Sequence, residues 1–262
     1  MLRRTRPVRE MGRWSRGRGT AVATPSQSEE GALPLLISPQ LATLVDRAPE
    51  GGNSSYEIKF DGYRMMTRIE GGAATIFTRN GHDWTDRMPR LADVCGALRG
   101  DDAWLDGEAV VLDSNGQPDF NALQNAFDRR STAEIVMFVF DILWLNGVDL
   151  REQPLRSRRA LLRELTEQAP SDAIRFSEDF PQDAVSLVAS ACKMKREGII
   201  GKRADAPYRS GRSTDWIKLK CQARQEFVVA ASRGRRARGR EGCGANSVGG
   251  REIALASETS AS

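Results

Sequence analysis

A nearly continuous apolar run at residues 135–145 is the pattern that restricts the possible folds most strongly. It is typical of a strand buried on both faces, which needs packing layers on each side of its sheet. Further strand patterns and amphipathic helical patterns surround it without regular βαβ alternation, and no GxGxxG motif is present. We therefore predict an α+β fold of antiparallel sheets flanked by helices.

Residue patterns locate the other predicted elements. Turn residues at 70–72 separate the first two strands, and apolar residues at helical spacing indicate the helices. The predicted strands cover about 56–69, 73–78, 104–112, 198–203, 215–220 and 226–231. The predicted helices cover about 86–99, 120–127, 155–167 and 183–195. Residues 39–45 are predicted as an extended or short helical entry to the domain, and residues 46–55 as a loop.

Composition divides the chain into three parts. Residues 1–33 are rich in Arg, Gly, Ser and Thr without a hydrophobic period, so we predict a disordered basic linker there. The patterned residues 34–222 are predicted to form the folded domain. Beyond Ala231, an Arg/Gly run and a Gly/Ser/Ala-rich stretch lack strand alternation, so residues 223–262 are predicted to end in an atypical tail.

The net charge of +4 is concentrated at the two ends of the chain. Residues 1–20 and 224–262 are basic, whereas the middle is acidic, so the ends are the candidates for attracting nucleic acid. No run approaches about 18 apolar residues, the length of a membrane span. The arginine-rich start also lacks the apolar block of a secretory signal. We therefore expect neither a membrane segment nor a secretory signal.

The cysteines are widely spaced and include no CxxC pair. This spacing argues against a zinc site or a disulfide framework and favours a reducing, cytoplasmic compartment. Cys192 lies in a predicted helix and is expected in the core. The only histidine, His82, is expected in a loop, which disfavours a Ser-His-Asp triad or a histidine-based metal site.

The segment KFDGYR at residues 59–64 carries the strongest indication of chemistry. A lysine amine can form a covalent intermediate once it loses its proton, but its ordinary pKa of about 10.4 keeps it charged at pH 7. Neighbouring cations or a metal must therefore lower the pKa of Lys59. Taken alone, the segment is equally compatible with an Asp-Gly turn flanked by surface charges.

Four further short segments have the same character: LDGE at 105–108, FD at 140–141, EGIIGK at 197–202 and WIKLK at 216–220. Side chains two apart on a strand share a face, so Lys218 and Lys220 are expected on one face with Trp216. Each segment alone also fits a hairpin turn, a core position or an exposed strand edge. Together they predict a nucleotide pocket, in which lysines neutralise phosphates and lower the pKa of Lys59.

In this order, the five segments resemble the motifs of covalent nucleotidyltransferases, and specifically those of ATP-dependent DNA ligases. The segments PQLATL at 39–44 and Glu57-Ile58 resemble the bacterial end-joining ligases of the ligase D type, which work with the Ku protein. The resemblance covers about residues 36–230. It implies a nucleotidyltransferase fold of the ATP-grasp-like kind found in the adenylation domain of DNA ligases, followed by an oligonucleotide-binding (OB) barrel.

The resemblance also implies roles for individual residues. Lys59 would take AMP from ATP as a lysyl phosphoramidate and release pyrophosphate. Glu57 would face the adenine amino group, and Phe140 would stack on the adenine. Arg64 and Glu108 would bind the ribose side of the nucleotide.

The remaining matches concern phosphates and metal. Arg79 would lie near the nucleotide and the 5′-phosphate of a nick. Glu197, together with Glu108, would hold Mg²⁺ or Mn²⁺. Lys218 and Lys220 would contact the phosphates, whereas Asp61 would order its loop.

The sequence departs from the family at its C-terminal end. An OB-fold needs five strands, and the segment RQEFVV at 224–229 resembles the first of them before the similarity stops near Ala231. We therefore expect a truncated or absent barrel, with a divergent minimal cap as the alternative. On that basis, transfer of preloaded AMP is expected to survive better than self-adenylation, and complete nick sealing is expected to be weak or lost.

The leading hypothesis is therefore a ligase module acting on nicked or broken duplex DNA, with ATP and Mg²⁺, in repair and recombination. Ku and an end-joining polymerase are the candidate partners, and a cytoplasmic, nucleoid-associated monomer is expected. RNA ligase or a capping-type guanylyltransferase is a second enzymatic hypothesis, because both share the Lys-x-Asp-Gly motif. A third hypothesis is a non-catalytic remnant that binds nucleic acid through its basic ends.

Overall fold

The computed structural model describes residues 31–49, 53–169, 171–180 and 183–221. Within those residues, eleven strands form two β-sheets, and four α-helices accompany them. The sheets are mostly antiparallel, which confirms the predicted α+β class. Most of the predicted linker, the predicted strand at 226–231 and the tail lie outside the described residues.

The first sheet contains the lysines of the EGIIGK and WIKLK segments. Its strands are β1 (Gln40–Leu44), β2 (Ser54–Ile58), β9 (Asp179–Phe180), β10 (Gly198–Arg203) and β11 (Gly211–Lys220). They lie in the order β1-β11-β10-β2-β9, and only the β1–β11 pair is parallel. The predicted entry segment 39–45 is thus an edge strand.

The second sheet contains the apolar run. Its strands are β3 (Tyr63–Glu70), β4 (Ala73–Thr78), β5 (Asp102–Val110), β6 (Val136–Leu145), β7 (Val148–Asp149) and β8 (Ile174–Phe176). The order is β4-β3-β5-β6-β7, and β8 pairs in parallel with β6. The predicted strand at 135–145 is confirmed as β6, most of whose side chains are buried.

The helices follow the predicted pattern, with small shifts at their ends. They are α1 (Pro89–Gly96), α2 (Phe120–Asp128), α3 (Leu155–Glu167) and α4 (Ala184–Lys193). Asp119 and Asp183 begin α2 and α4 by accepting hydrogen bonds from backbone N–H groups three residues further on. None of the helices in the described ranges is long and apolar enough to cross a membrane.

One predicted element was wrong. The continuous strand expected at 56–69 is two strands, because the chain leaves the first sheet after Ile58 and enters the second at Tyr63. Residues 59–62 therefore connect the two sheets. A Cβ atom added to Gly62 would lie 2.2 Å from the carbonyl oxygen of Ala109, so this connection needs a glycine. Apolar residues recur through both strands and the connection between them. The sequence pattern therefore does not reveal that the chain changes from one sheet to the other.

The expectation that the cysteines form no disulfide was also wrong. Cys192 at the end of α4 is half-buried and bonded to Cys221, which follows β11, with 5.3 Å between the two Cα atoms. α4 packs on β10, and β10 pairs with β11, so residues 29 positions apart meet. A cross-link of this span stabilises a fold by about 3–4 kcal/mol in the chain-entropy model. The cysteine spacing therefore no longer supports a reducing compartment.

Candidate active site

A cleft of about 520 Å³ is lined by residues of both sheets, a volume typical of small-molecule sites. The β2–β3 connection lies along it, because it is the segment that passes between the sheets. Among the predicted site residues, the cleft is lined by Glu57, Lys59, Arg64, Arg79, Glu108, Phe140 and Lys218. Glu197 and Lys220 reach this group through ion pairs with Lys59 and with each other.

Lys59 is held at the cleft by both its backbone and its side chain. Its N–H donates to the carbonyl of Gly198 at 3.0 Å, and its ammonium is paired with Glu197 Oε2. The other carboxylate oxygen, Oε1, lies 2.9 Å from Lys220 Nζ. The Lys59 side chain is 21% exposed, so the amine remains accessible from the cleft. Glu197 therefore pairs both with Lys59, the predicted nucleophile, and with Lys220, a predicted phosphate-binding residue.

The charges around Glu197 shift its titration and that of its neighbours. Burial disfavours the Glu197 carboxylate, but hydrogen bonds from Lys59 and Lys220 outweigh it and leave the pKa of Glu197 below its usual value. Burial lowers the pKa of Lys218, with additional repulsion from Lys220 and Arg212. A carboxylate with a lowered pKa is a weak base. Glu197 is therefore suited to holding the Lys59 ammonium and not to removing its proton.

Arg64 is fixed against the wall of the cleft. Its Nε and Nη2 donate to the two carboxylate oxygens of Asp106 at 2.5 and 2.7 Å. Burial opposes the charge, but the Asp106 carboxylate outweighs it and raises the pKa of the guanidinium. The same guanidinium lies 4.4 Å from the centre of the Phe140 ring. A bidentate pair of this kind fixes orientation as well as charge.

Glu108 is opposite Arg64 in the β3–β5 pairing and faces the cleft. Burial raises the pKa of Glu108 from its ordinary value of 4.5 to about 7, although Arg64 and Lys59 pull it down. The backbone of Gly62 also lowers the pKa of Glu108, by less than the two cations do. A cation bound beside Glu108 would favour its ionised form and lower its pKa.

The raised pKa of Glu108 gives a pH prediction. The folded state binds a proton there that the unfolded state has lost, so this stabilising contribution is present below pH 4.5 and is lost as the pH rises through about 7. Glu108→Gln does not titrate. We expect its urea midpoint to fall less over this pH range than the midpoint of the wild type or of Glu134→Gln, which alters an exposed glutamate. Equal losses in all three proteins would contradict the prediction.

Glu57 is almost fully buried and lies at the inner end of the cleft. Its Oε1 lies 2.8 Å from Arg159 Nη1 and 2.7 Å from Lys202 Nζ. Its Oε2 accepts a hydrogen bond from the Ser177 hydroxyl at 2.8 Å. A carboxylate has roughly four lone-pair sites, so these contacts leave at least one for another donor.

Lys202 is a site residue whose role was not predicted from the sequence. Its ammonium is 2% exposed, lines the cleft, and lies 4.1 Å from the centre of the Phe140 ring and 4.3 Å from that of Trp216. Burial lowers the pKa of Lys202 to about 8. The basic end of the EGIIGK segment was the available sequence signal, but strand alternation alone does not say which sheet face is covered.

The loop after β4 forms the opposite rim. Arg79 is exposed there and lines the cleft together with Asn80 and His82. His82 therefore lies in a loop, as expected, and its N–H donates to the Thr78 hydroxyl at 3.2 Å. An arginine on an exposed loop at the mouth can reach a phosphate outside the cleft as well as one within it.

The predicted metal ligands, Glu197 and Glu108, do not form a preformed cage. Among the described residues, no three His, Cys, Asp or Glu side chains cluster in a way that would hold a metal ion. This fits Mg²⁺, which usually takes one or two carboxylates and completes its shell with water and substrate phosphates. Glu197 already pairs with two ammonium groups, so its carboxylate faces positions that cations occupy.

A family model described as ATP dependent DNA ligase domain matches residues 39–220, more than half of the chain. The chain belongs to the ATP-dependent DNA ligase family. The matched residues, 39–220, include both sheets and every residue that lines the cleft.

Relatives of this ligase-family chain include much longer proteins. It is 51% identical over 197 residues to the multifunctional non-homologous end joining protein LigD of Pseudomonas aeruginosa, covering 75% of this chain and 23% of that protein. It is 35% identical over 199 residues to the LigD DNA repair protein of Mycobacterium tuberculosis, covering 75% and 25%. The chain thus spans about a quarter of the length of these relatives.

The solved structures agree with this assignment. The crystal structure of the ligase domain of M. tuberculosis LigD superposes with a TM-score of 0.59 at 31% identity, covering 70% of this chain and 60% of that one. A mycobacterial DNA ligase D complexed with ATP and MES matches with the same TM-score and identity. The nucleotidyltransferase fold expected from the sequence is therefore confirmed.

Proposed function

We propose that this chain is the adenylation module of an ATP-dependent DNA ligase, in which Lys59 takes AMP from ATP and passes it to a DNA 5′-phosphate. The observation that carries the proposal is the position of the Lys59 amine, which is held by Glu197 beside a nucleotide-sized cleft. The amine lies between the Glu197 carboxylate and the further cations Lys218 and Lys220. Nucleophilic lysines need such surroundings.

The proposed chemistry has three steps. The uncharged Lys59 Nζ attacks the α-phosphorus of ATP; a P–N bond forms, the nitrogen loses a proton to solvent, the bond to the bridging oxygen breaks, and pyrophosphate leaves with the electron pair. An oxygen of the DNA 5′-phosphate then attacks the same phosphorus and breaks the P–N bond, and the lysine nitrogen takes a proton from solvent as it leaves as the amine. Finally, a DNA 3′-hydroxyl attacks the activated 5′-phosphate and loses its proton to solvent, which forms the phosphodiester as AMP leaves with the electron pair.

The residues of the chain supply position and charge for these steps. Glu197 holds the ammonium of Lys59 until the amine turns toward ATP and gives its proton to solvent. Lys218, Lys220 and Arg212 bring positive charge to one side of the cleft, where phosphates would lie. Mg²⁺ held by Glu197 and Glu108 would neutralise further phosphate charge. Stabilising charge on the transferring group is the main requirement of phosphoryl chemistry.

The inner end of the cleft favours adenine over guanine. We propose that the adenine stacks near Phe140, with its amino group donating to the free lone pair of Glu57 and its ring nitrogen accepting from Lys202. Guanine would present a carbonyl oxygen where adenine has its amino group. That oxygen would face the buried Glu57 carboxylate, and a buried polar group without a partner is costly.

Incubating the chain with Mg²⁺ and either α-labelled ATP or α-labelled GTP tests the proposal. We expect covalent label from ATP and a mass gain of one AMP, with at least about a hundredfold less label from GTP, because a mispaired buried group costs a few kcal/mol. Stronger labelling by GTP would instead favour a capping-type guanylyltransferase. Salt-sensitive DNA binding without any covalent label would favour the non-catalytic remnant.

The names of the relatives suggest the biological setting. We propose that the substrate is nicked or broken duplex DNA and that the module acts in non-homologous end joining, with Ku and an end-joining polymerase as partners. We also propose that it acts at the nucleoid in a bacterial cytoplasm and as a monomer. Joining assays on blunt and nicked duplexes that already carry a 5′-adenylate, with and without added Ku, test this setting independently of the adenylation step.

A further inference from the structure

Tyr208 connects the two sheets beside the cleft. It lies between β10 and β11, is 2% exposed, and accepts a hydrogen bond on its hydroxyl from the backbone N–H of Gln40 at 2.7 Å. The same hydroxyl donates to Asp106 Oδ2 at 2.7 Å. Gln40 belongs to β1 of the first sheet, and Asp106 belongs to β5 of the second. One hydroxyl therefore links an edge strand of one sheet to an interior strand of the other.

Asp106 connects the Tyr208 hydroxyl to Arg64, which lines the cleft. Its side chain is fully buried, and both of its oxygens accept from the guanidinium of Arg64. Arg64 Nη2 also donates to the carbonyl of Gln40 at 3.2 Å, so the arginine is attached to both sheets. The guanidinium orientation therefore depends directly on Asp106 and the Gln40 carbonyl, and through Asp106 on the Tyr208 hydroxyl.

Gln40 is itself fixed from the other side. It is fully buried, its side-chain amide donates to Ser213 Oγ at 2.9 Å, and its amide oxygen accepts from the backbone N–H of Arg209 at 2.7 Å. Burial, followed by the Asp106 charge, raises the pKa of Tyr208 well above its ordinary value, so the hydroxyl remains a donor. The Tyr208 hydroxyl thus stays protonated, and Gln40 is held by hydrogen bonds at both ends of its side-chain amide.

We propose that Tyr208 is a positioning residue for nucleotide binding: through Asp106, its hydroxyl sets the orientation of Arg64 in the cleft. This rests on the proposed function, in which Arg64 binds the ribose side of ATP. Packing alone does not require the hydroxyl, because the tyrosine ring fills its site against Trp216 with 5.9 Å between ring centres. A phenylalanine would keep that contact and lose only the link between the sheets.

Tyr208→Phe in the full chain separates positioning from packing. We expect the Kd for ATP, measured by calorimetry, to rise about tenfold, as for loss of one buried hydrogen bond to a charged group. The single-turnover rate of AMP attachment at saturating ATP should stay within about twofold of wild type. Tyr56→Phe removes the same hydroxyl from a tyrosine of a separate apolar cluster and should leave both quantities unchanged.

A double-mutant cycle with Arg64→Lys supplies the decisive comparison. Lysine keeps a cation for Asp106 but lacks the planar fork, so Tyr208→Phe in this background should change the Kd for ATP by no more than about twofold. The same tenfold penalty in both backgrounds, or an unchanged Kd in Tyr208→Phe itself, would overturn the proposal. If the double variant does not fold, 2′-deoxy-ATP replaces it. The Tyr208→Phe penalty should then shrink for the analogue, and an equal penalty would overturn the proposal.

The two proposals fail in different ways. A wild-type chain that binds ATP but never forms the covalent adduct would refute the adenylation proposal, while the binding cycle would still test Tyr208. A chain that forms the adduct normally, with additive effects in the cycle, would refute the role of Tyr208 alone. Thermal melts of every variant show whether a change in Kd arises in folded protein.

Discussion

Replacing Lys59 by arginine is expected to abolish covalent attachment of AMP, lowering its rate by roughly 10⁴-fold or more, as for loss of a catalytic nucleophile. Arginine keeps a positive charge beside Glu197, but its guanidinium stays protonated and cannot attack phosphorus. ATP binding should therefore stay within a few-fold of wild type. Intact mass after incubation with ATP and Mg²⁺ measures the adduct, and calorimetry measures binding.

Two controls sharpen this result. Lys193→Arg makes the same exchange at an exposed position on α4 and should keep the adduct. Sealing of a nick that already carries a 5′-adenylate should survive in Lys59→Arg wherever wild type performs it, because the attacking group is then the DNA 3′-hydroxyl. An adduct formed by Lys59→Arg at the wild-type rate would show that another cleft lysine, such as Lys202 or Lys218, is the nucleophile.

Replacing Arg158 by methionine is expected to reduce the free energy of unfolding by about 3–5 kcal/mol, the cost of leaving one partner of a buried ion pair alone. Arg158 and Asp141 are both fully buried, and Nε and Nη2 of the arginine donate to the carboxylate at 2.7 and 2.9 Å. The arginine also donates to the carbonyls of Gln153 and Ala206. Urea unfolding followed by circular dichroism measures the loss.

A variant that removes both charges shows how much of the loss comes from the unpaired Asp141 carboxylate and how much from lost packing of the Arg158 side chain. Arg158→Met combined with Asp141→Leu leaves no buried carboxylate unpaired, so much of the lost stability should return. Arg156→Met on the same helix alters an exposed side chain and should change stability by no more than about 0.5 kcal/mol. The prediction fails if Arg158→Met is as stable as Arg156→Met. It fails equally if the double variant is no more stable than the single one.

Much of the secondary structure was predictable because it depends on short-range patterns. The helix predicted at 155–167 matches α3 in both bounds, and the strand predicted at 198–203 matches β10. The helix predicted at 86–99 is shorter, because Pro89 begins α1 and a short 3₁₀ turn precedes it. The short strands β7, β8 and β9 were not predicted, since two or three residues carry too little periodicity.

The site was predictable as a set of residues but not as a set of contacts. The motifs predicted that Lys218, Lys220 and Glu197 lie near Lys59, with the lysines lowering its pKa and Glu197 holding a metal. They did not predict that the Glu197 carboxylate, 138 positions away, pairs directly with the Lys59 ammonium. It also gives Asp106, in the middle of the LDGE segment, the task of fixing Arg64. A motif does not show which of its acids meets which cation.

The sequence by itself determined the family and the candidate chemistry of this protein. The order of the lysine, carboxylate and aromatic segments can be read directly from the sequence, and it does not depend on which contacts each side chain makes in the fold. The tertiary structure alone decided that residues 59–62 pass from one sheet to the other. It also decided that Tyr208 links the sheets, that Lys202 is buried beneath the cleft and that Cys192 meets Cys221. The physical reason is that strand pairing and sheet packing join residues far apart in the chain, and local patterns do not encode those partners.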